Sequence, residues 1–276
     1  MGSIFISFGE FVGRSPDLAE LVLQGMLLMF RILPIVFITP FLGGKLVPAT
    51  TKMGIAFALG FLLWPAVVGT VTTPMANLSA VVFIPLMLKE LFIGYVIGFV
   101  GAEMFYAMEI GGRVLDVMRG SNMAEVQVPE LGFRASPLGL FLFQILLIVF
   151  IGVGGHRLFL SAFIDSYALV RIDQFPTLSG GFFELVDAIM RYTASLFAIA
   201  FALVFPGIFA TFMTDVVFGM LNRIAPQLNA YFMAMGVKAM SAIALLLFSL
   251  TLVYDRMADL VAYSLQFAQD VVKLWA

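Results

Sequence analysis

The sequence predicts an all-α membrane protein whose long, kinked helices fold back on one another as hairpins. Hydrophobic residues make up 62% of the 276 positions and charged residues only 12%, whereas a soluble domain has about 45–50% and about 25%. The apolar residues also form runs long enough to cross a bilayer, which takes ~20 helical residues. Such a chain cannot bury its apolar surface within itself, so we expect membrane lipid or partner proteins to cover it.

Six apolar runs are the candidate helices. Four of them contain an internal proline (Pro34, Pro65, Pro85 or Pro206), which removes a backbone donor and favours a kink or a break. No internal repeat or linker divides the sequence, so we expect a single domain over residues 1–276, with terminal segments at 1–20 and 255–276. The six runs cover residues 21–41, 53–73, 78–108, 139–160, 192–221 and 230–254.

Six charged residues interrupt these apolar runs. Each costs at least ~2.5–3.5 kcal/mol if it faces lipid, so we expect it to pair or to face water or protein. The signs are mixed and spread over several runs, which favours structural salt bridges over an ion pathway. Asp215 and Lys238 are the sole charges of consecutive runs and are predicted to meet across a hairpin. The full set is Arg31, Lys89, Glu90, Glu103, Asp215 and Lys238.

The third run presents small residues and then leads into a series of charges. Gly94, Gly98 and Ala102 recur at every fourth position, so they share one helix face and allow another helix to approach closely. Gly111-Gly112 then predicts a hinge, because glycine is a poor residue for a helix interior. Around it lies a ladder of alternating charges, for which a solvated helix end is the favoured interpretation. The ladder consists of Glu109, Arg113, Asp116 and Arg119.

A segment bounded by Gly120 and Gly132 follows the ladder. It is long, and no structure of its own is predicted for it; loops of this kind are often functional or disordered. Its terminal glycines permit backbone movement. Its apolar side chains are flexible or small and could fill an aqueous pore loosely, with an ordinary surface loop as the alternative. Those side chains are Met123, Val126, Val128 and Leu131.

A polar string separates the last two runs and is predicted to form the tip of their hairpin. Pro226 suits a turn, because it cannot donate a backbone hydrogen bond. The neighbouring polar side chains are expected to tie the turn to other backbone groups. They are Asn222, Arg223, Gln227 and Asn229.

The sequence offers no chemistry-bearing constellation. His156 is the only histidine and there is no cysteine, so neither a zinc site nor a serine–histidine pair with its nucleophile elbow is predicted. We interpret His156 as the end of a helix. No catalytic, metal-binding or cofactor-binding residue is therefore predicted, and we expect the protein not to be an enzyme. The net charge of −2 argues against nucleic-acid binding.

The string from Gly219 to Asn229 closely resembles the signature of the T subunit of type III secretion export gates (SctT), whose flagellar counterpart is FliR. Other motifs fall in the family's order, so the resemblance covers about residues 21–254. Asp116 with Arg119-Gly120, and the Ser136–Gly139 string, look more like the injectisome branch; a flagellar subunit is the alternative. The remaining motifs are Leu42-Gly43-Gly44 with Pro48, Gly154-Gly155-His156 and Ser166-Tyr167.

The resemblance implies an all-helical subunit whose hairpins stack with the R and S subunits into a helical assembly around a channel. That gate would lie in the bacterial inner membrane, within the basal body, next to the U and V subunits. Unfolded secretion substrates would pass through the channel, and the 120–132 segment would enter it as a plug. The rival classes are a self-sufficient secondary transporter or channel, and a scaffold with no part in the channel wall. A transporter predicts corresponding broken helices in two halves, which the sequence does not show.

Overall fold

The computed structural model describes residues 18–44, 47–68, 71, 80–120, 127–128, 133–134, 136–176, 181–227, 230–248 and 250–274. Within these ranges the chain forms eight helices, which confirms the predicted helical class. In chain order they are α1 (Leu18–Ile38), α2 (Ala49–Val68), α3 (Ala80–Met118), α4 (Pro137–Gly152), α5 (Gly155–Leu169), α6 (Gly181–Ile224), α7 (Ala230–Phe248) and α8 (Leu250–Lys273).

Two short strands between α3 and α4 add a feature that the sequence does not predict. β1 (Gln127–Val128) pairs antiparallel with β2 (Phe133–Arg134), with Gln127 opposite Arg134 and Val128 opposite Phe133. The expectation of no structure within the 120–132 segment is therefore wrong for Gln127 and Val128. Two residues per strand are too few to show the period-two alternation from which strands are predicted.

Four described helices, α1, α2, α3 and α6, contain stretches long and apolar enough to cross a membrane. The pairs α4–α5 and α7–α8 meet the same criterion if each broken pair is one span, which gives up to six spans. Several large apolar side chains also remain exposed in the isolated chain: Phe61 is 81% exposed, and Phe183 and Phe248 are each 87% exposed. Lipid or partner proteins are needed to cover such a surface.

The prolines do not break their helices. Pro34, Pro65, Pro85 and Pro206 all lie inside helices, in α1, α2, α3 and α6, so a break at these positions is wrong and a kink stays a prediction. Helix α3 also continues through Gly111-Gly112, and the hinge expected at this glycine pair stays a prediction. The pair allows close packing, since a Cβ on Gly112 would lie 2.7 Å from the backbone nitrogen and Cα of Gly139.

The fourth predicted run, at 139–160, is wrong as a single helix. Helix α4 ends at Gly152, and Gly154 has a φ of +77°, a left-handed conformation that favours glycine. Helix α5 then begins at Gly155. His156 is consequently the second residue of a helix and not the end of one. Hydropathy cannot show this break, because the residues on both sides of it are apolar.

The sixth run and the terminal segment also differ from expectation. Helix α7 ends at Phe248, and α8 extends from Leu250 to Lys273. Most of the predicted terminal segment at 255–276 is thus helical. At the other end, α1 begins at Leu18, within the predicted segment at 1–20.

The chain divides into two compact units. Unit one comprises Met1–Ala102, His156–Ile189 and Ser264–Ala276, and unit two comprises Glu103–Gly155 and Met190–Tyr263. The single domain over residues 1–276 stays a prediction.

In unit one, α1 packs against the small face of α3. A Cβ on Gly94 would lie 2.9 Å from the carbonyl carbon of Arg31, and one on Gly98 would lie 3.1 Å from the Cα of Ile35. The close helix approach predicted for Gly94 and Gly98 is confirmed.

The core of unit two is built around α3, α4 and α6. Phe105 contacts Phe143 and Phe150, with ring centroids 5.9 and 5.3 Å apart. A Cβ on Gly207 of α6 would lie 2.8 Å from the Leu115 side chain, so α6 packs closely against α3 at this position. This packing fixes the end of α3 that leads into the 120–132 segment.

Candidate functional site

Three of the six predicted buried charges meet in unit one. Arg31 forms a two-bond ion pair with Glu90, with Nε–Oε2 and Nη2–Oε1 distances of 2.5 and 2.9 Å. The Lys89 ammonium nitrogen lies 2.5 Å from Glu90 Oε1, the oxygen that also accepts from Arg31 Nη2. Arg31 and Glu90 are fully buried. The expectation that these charges pair is therefore confirmed.

The same two cations also hold the end of α5. Arg31 donates to the carbonyl oxygens of Ser166 and Val170 at 2.9 and 2.8 Å, and Lys89 donates to three carbonyl oxygens in the turn that follows. The last carbonyls of a helix have no partner within it and carry partial negative charge, so cations stabilise them. The carbonyls bound by Lys89 are those of Arg171, Ile172 and Gln174.

The Ser166-Tyr167 motif completes this Arg31 cluster. The Arg31 guanidinium lies 4.2 Å from the centroid of the Tyr167 ring, a cation–π contact. The Tyr167 hydroxyl donates to the carbonyl oxygen of Leu28 at 3.2 Å. Sequence reasoning singled out this motif but could not connect it to Arg31, because 135 residues separate Arg31 from Ser166. The cluster joins α1, α3 and α5.

Glu103 does not join these charges. It belongs to unit two, is 7% exposed, and its Oε2 atom has no hydrogen-bond partner within the described part of the chain.

Asp116 is the residue whose environment differs most from expectation. Of the charge ladder, Arg113 is half exposed, as a solvated helix end predicts, but Glu109, its partner at 3.8 Å, is buried. Asp116 is also buried, at 3% exposure. Its Oδ1 accepts from Arg119, with Nε–Oδ1 and Nη2–Oδ1 distances of 2.7 and 2.6 Å. The interpretation as a solvated helix end is therefore wrong for both carboxylates of the ladder, Glu109 and Asp116.

The other oxygen of Asp116 binds the start of α4. Its Oδ2 accepts from the Ser136 hydroxyl and from the Leu138 backbone N–H, the latter at 2.9 Å. The Ser136 hydroxyl oxygen in turn accepts from the Gly139 N–H at 3.1 Å, as a helix N-cap does. Asp116, Arg119, Ser136 and Leu138 form what we call the Asp116 network.

The sequence carries a signal for this network in the serine–proline pair at the start of α4. Serine followed by proline is typical of an N-cap and the first helical position. Such a helix start leaves backbone N–H groups that favour a nearby carboxylate. The sequence pattern assigns Asp116 to the charge ladder, and no spacing rule connects it with Ser136, which lies 20 residues later.

The hairpin between α6 and α7 has the predicted turn and the predicted ion pair. Helix α6 ends at Ile224, Pro226 and Gln227 lie in the turn, and α7 begins at Ala230. Asp215 and Lys238 form an ion pair across the hairpin. Close by, the hydroxyl oxygens of Thr214 and Ser241 lie 3.3 Å apart. The predicted pairing of Asp215 with Lys238 is confirmed. The expectation that Asp215 is buried is wrong, because its side chain is 49% exposed, whereas that of Lys238 is 16% exposed.

The described polar side chains of the hairpin tip do not form the hydrogen bonds that were expected to stabilise the turn. Asn222, Arg223 and Gln227 are exposed, and in the part of the chain that the structure describes no hydrogen bond is recorded for them. Asn222 and Arg223 lie in the last turn of α6 and Gln227 lies in the turn that follows, so all three are available to another molecule. Asn229 lies outside the described residues.

One cavity of about 620 Å³ in unit two brings three predicted features together. The end of α3, the Asp215–Lys238 ion pair and the hairpin tip all contribute to its wall. Its lining includes Arg119, Gly120, Asp215, Phe218, Gly219, Asn222, Pro226, Gln227, Ala230, Ala234, Met235 and Lys238. The signature string and the start of the 120–132 segment are therefore neighbours in space.

Few of the residues proposed for the plug fall within the described ranges. Gly120 has a φ of +80°, and its N–H donates to the Val117 carbonyl at 3.0 Å, which ends α3. Val128 lies in β1. Met123, Val126, Leu131 and Gly132 lie outside the described residues.

No group of three or more potential metal ligands occurs among the described residues. The Nδ1 atom of His156 is buried without a hydrogen-bond partner there.

Comparison with known sequences identifies related proteins over most of the chain. The sequence model of the family described as "Bacterial export proteins, family 1" matches residues 22–263. The Yop proteins translocation protein T of Yersinia pestis is 33% identical over 228 residues, which are 82% of this chain and 82% of that protein. The flagellar biosynthetic protein FliR of Bacillus subtilis (strain 168) is 24% identical over 250 residues, 90% of this chain and 94% of that protein. The secretion system apparatus protein SsaT of Salmonella typhimurium is 29% identical over 164 residues, 59% and 62% of the two chains.

Proposed function

This chain belongs to family 1 of the bacterial export proteins, and we propose that it is the T subunit of a type III secretion export gate of the injectisome kind. The family and the apolar helices together make it a membrane-embedded component of a bacterial export apparatus. The observation that carries the proposal is the match to the Yersinia pestis translocation protein across most of both chains.

In this proposal the subunit has no enzymatic activity and acts by forming part of a channel. It assembles with the R and S subunits in the bacterial inner membrane, within the basal body, and next to the U and V subunits. Unfolded secretion substrates pass through the channel. The exposed phenylalanines of the isolated chain support a role in an assembly, because a surface of that kind needs protein or lipid to cover it.

Co-expression tests the assembly. We expect the chain expressed alone to aggregate or to be degraded, and co-expression with the R and S subunits to yield one discrete complex of defined size and composition. A stable monomer that transports solutes when reconstituted alone in liposomes would contradict the proposal and favour a self-sufficient transporter.

We further propose that the 120–132 segment obstructs the channel at rest. The residues that flank the segment in sequence support a fixed base for it, because Arg119 before it and Ser136 after it both bind Asp116. We expect removal of residues 121–132 to make the closed gate leak ions and small solutes, while the complex still assembles. Removal of residues 177–180, which connect α5 and α6, is the matched control and should leave the gate tight. A tight gate after the first deletion would leave the segment as a connector.

The flagellar branch is the second candidate, and the higher coverage of the Bacillus subtilis FliR match favours it. Complementation separates the two branches. The gene should restore secretion to a strain lacking its injectisome T subunit and should not restore motility to a strain lacking FliR. The opposite pattern would assign the chain to the flagellum.

A further inference from the structure

A second cavity in unit two lies between α6 and α8 and has a volume of about 430 Å³, which is within the ~300–1,000 Å³ range of small-molecule sites. Near it, Ser195 of α6 and Tyr263 of α8 join the two helices, with their hydroxyl oxygens 3.0 Å apart. Most of the cavity wall is apolar. The large apolar residues that line it are Ile199, Leu203, Pro206, Val253 and Leu260.

Arg256 and Asp259 of α8 add charges of both signs to the wall of this cavity. Their side chains are 63% and 74% exposed, and the distance from Arg256 Nη1 to Asp259 Oδ2 is 3.8 Å. This distance is too long for a hydrogen bond. Each group therefore keeps its hydrogen-bonding capacity for another molecule: the guanidinium offers donors in a planar fork, and the carboxylate offers acceptors.

Pro206 adds a backbone acceptor to the same wall. Because proline has no N–H, the carbonyl oxygen of Ala202, four residues earlier in α6, has no donor at its usual helical position. Ala202 also lines the cavity and is exposed. Inside a membrane, a carbonyl freed in this way needs a donor from another group. The cavity thus combines one guanidinium, one carboxylate and one freed carbonyl with an apolar lining.

We propose that this cavity binds a membrane phospholipid whose head group carries a primary ammonium, such as phosphatidylethanolamine. The Arg256 guanidinium binds the phosphate, for which its planar fork is suited. The ammonium donates to the Asp259 carboxylate and to the Ala202 carbonyl, and an acyl chain lies against the apolar lining. This inference needs only that the chain is embedded in a membrane, so it does not depend on the proposed export gate.

The freed carbonyl favours a lipid over a helix of a partner subunit. The backbone N–H groups of a membrane helix are already bonded within that helix, so a helix would reach the Ala202 carbonyl only with a side chain. The need for a donor also selects among phospholipids. The ammonium of phosphatidylethanolamine donates hydrogen bonds as a lysine ammonium does, whereas the quaternary nitrogen of phosphatidylcholine has no N–H and phosphatidylglycerol has no ammonium.

Lipid titration of the complex purified through the full-length chain tests the inference. The delipidated complex is titrated with phosphatidylethanolamine labelled on an acyl chain, and with phosphatidylcholine and phosphatidylglycerol that carry the same label. We expect phosphatidylethanolamine to bind about tenfold more tightly than either, the change that corresponds to one hydrogen bond to a charged group. Asp259→Ala should remove this preference, and Arg256→Ala should weaken the binding of all three lipids.

The matched controls are Asp270→Ala and Lys273→Ala. These two residues also form an exposed ion pair three residues apart on α8, but they do not line the cavity. Neither substitution should change the affinity for any of the three lipids.

Pro206→Ala tests the freed carbonyl separately. The alanine restores an N–H four residues after Ala202, so the carbonyl gains its helical donor. We expect weaker binding of phosphatidylethanolamine and unchanged binding of phosphatidylglycerol, in a complex that still assembles. Pro85→Ala in α3 is the control, because Pro85 also lies inside a helix but does not line the cavity.

Ala202→Trp fills the cavity from an exposed position and should abolish lipid binding in an assembled complex, whereas Ala194→Trp, at an exposed position of α6 outside the cavity, should not. Equal affinities for the three lipids would overturn the inference, and so would an unchanged preference in Asp259→Ala. A complex that binds no phosphatidylethanolamine, and whose assembly Ala202→Trp prevents, would also overturn it, because a partner subunit would then occupy the cavity.

Discussion

Gly94 of α3 offers the sharpest test of the packing in unit one, through the substitution Gly94→Ala. The added Cβ would lie 2.9 Å from the carbonyl carbon of Arg31 and closer still to its oxygen. Ordinary carbon–carbon contacts are about 3.5–4 Å, so the atoms are roughly 0.6–1 Å too close. Both groups belong to helix backbones and cannot rotate away, so α1 and α3 must separate.

That separation also strains the Arg31–Glu90 ion pair, because Glu90 lies on α3 one turn before Gly94. Overpacking lowers the free energy of unfolding by ~1–3 kcal/mol, and strain on a buried ion pair lowers it further. Replacing glycine with alanine inside a helix raises it by ~1 kcal/mol through helix propensity. We expect a net destabilisation of about 2 kcal/mol, which is a fall of ~4–8 °C in melting temperature for a chain of this size.

The assay is thermal unfolding of the purified complex in detergent, compared with Gly54→Ala in α2. A Cβ on Gly54 meets no atom within 4 Å among the residues that the structure describes, so this control gains the helix propensity without the clash. Equal melting temperatures for Gly94→Ala and the unmodified protein would refute the inferred close approach of α1 and α3.

Two further predictions concern the hairpin of α6 and α7. Asp215→Ala and Lys238→Ala should each lower complex yield and melting temperature more than the double neutral variant does, because a single change leaves one charge of the pair without its partner. The loss should be larger for Asp215→Ala, since the Lys238 side chain is 16% exposed and that of Asp215 is 49% exposed. Purely additive effects in the double-mutant cycle would show that the pair does not matter. Arg223→Ala should leave the stability of unit two unchanged but reduce secretion and the recovery of partner subunits, since Arg223 is exposed, whereas normal secretion would remove the tip from the assembly surface.

Composition predicted the helices well, because the length of an apolar run is a local property of the sequence. The Asp215–Lys238 pair was also predictable, since both residues lie at similar distances from one turn. The partners of Arg31 were not, because Glu90 and Val170 are 59 and 139 residues away and no spacing rule connects them. The burial of Asp116 was not predicted for a related reason. Its neighbours in sequence are charged, but the residues that surround it belong to the start of α4.

The break between α4 and α5 shows a different limit. Gly154-Gly155 was visible in the sequence, yet the apolar residues on either side favoured one continuous helix. A single backbone angle, the φ of +77° at Gly154, decides the outcome, and hydropathy carries no information about it. Glycine pairs inside apolar runs are ambiguous in this chain, since Gly111-Gly112 continues a helix and Gly154-Gly155 interrupts one.

The Arg31 cluster also has a consequence for how the protein is made. Arg31 leaves the ribosome long before Glu90 and longer still before Val170, so α1 reaches the membrane with a charge whose partners do not yet exist. Held alone in lipid, that charge would cost ~2.5–3.5 kcal/mol or more. The set of carbonyls bound by Arg31 and Lys89 is complete only when synthesis has reached Gln174. The charge of α1 therefore lacks its complete set of partners through more than half of translation.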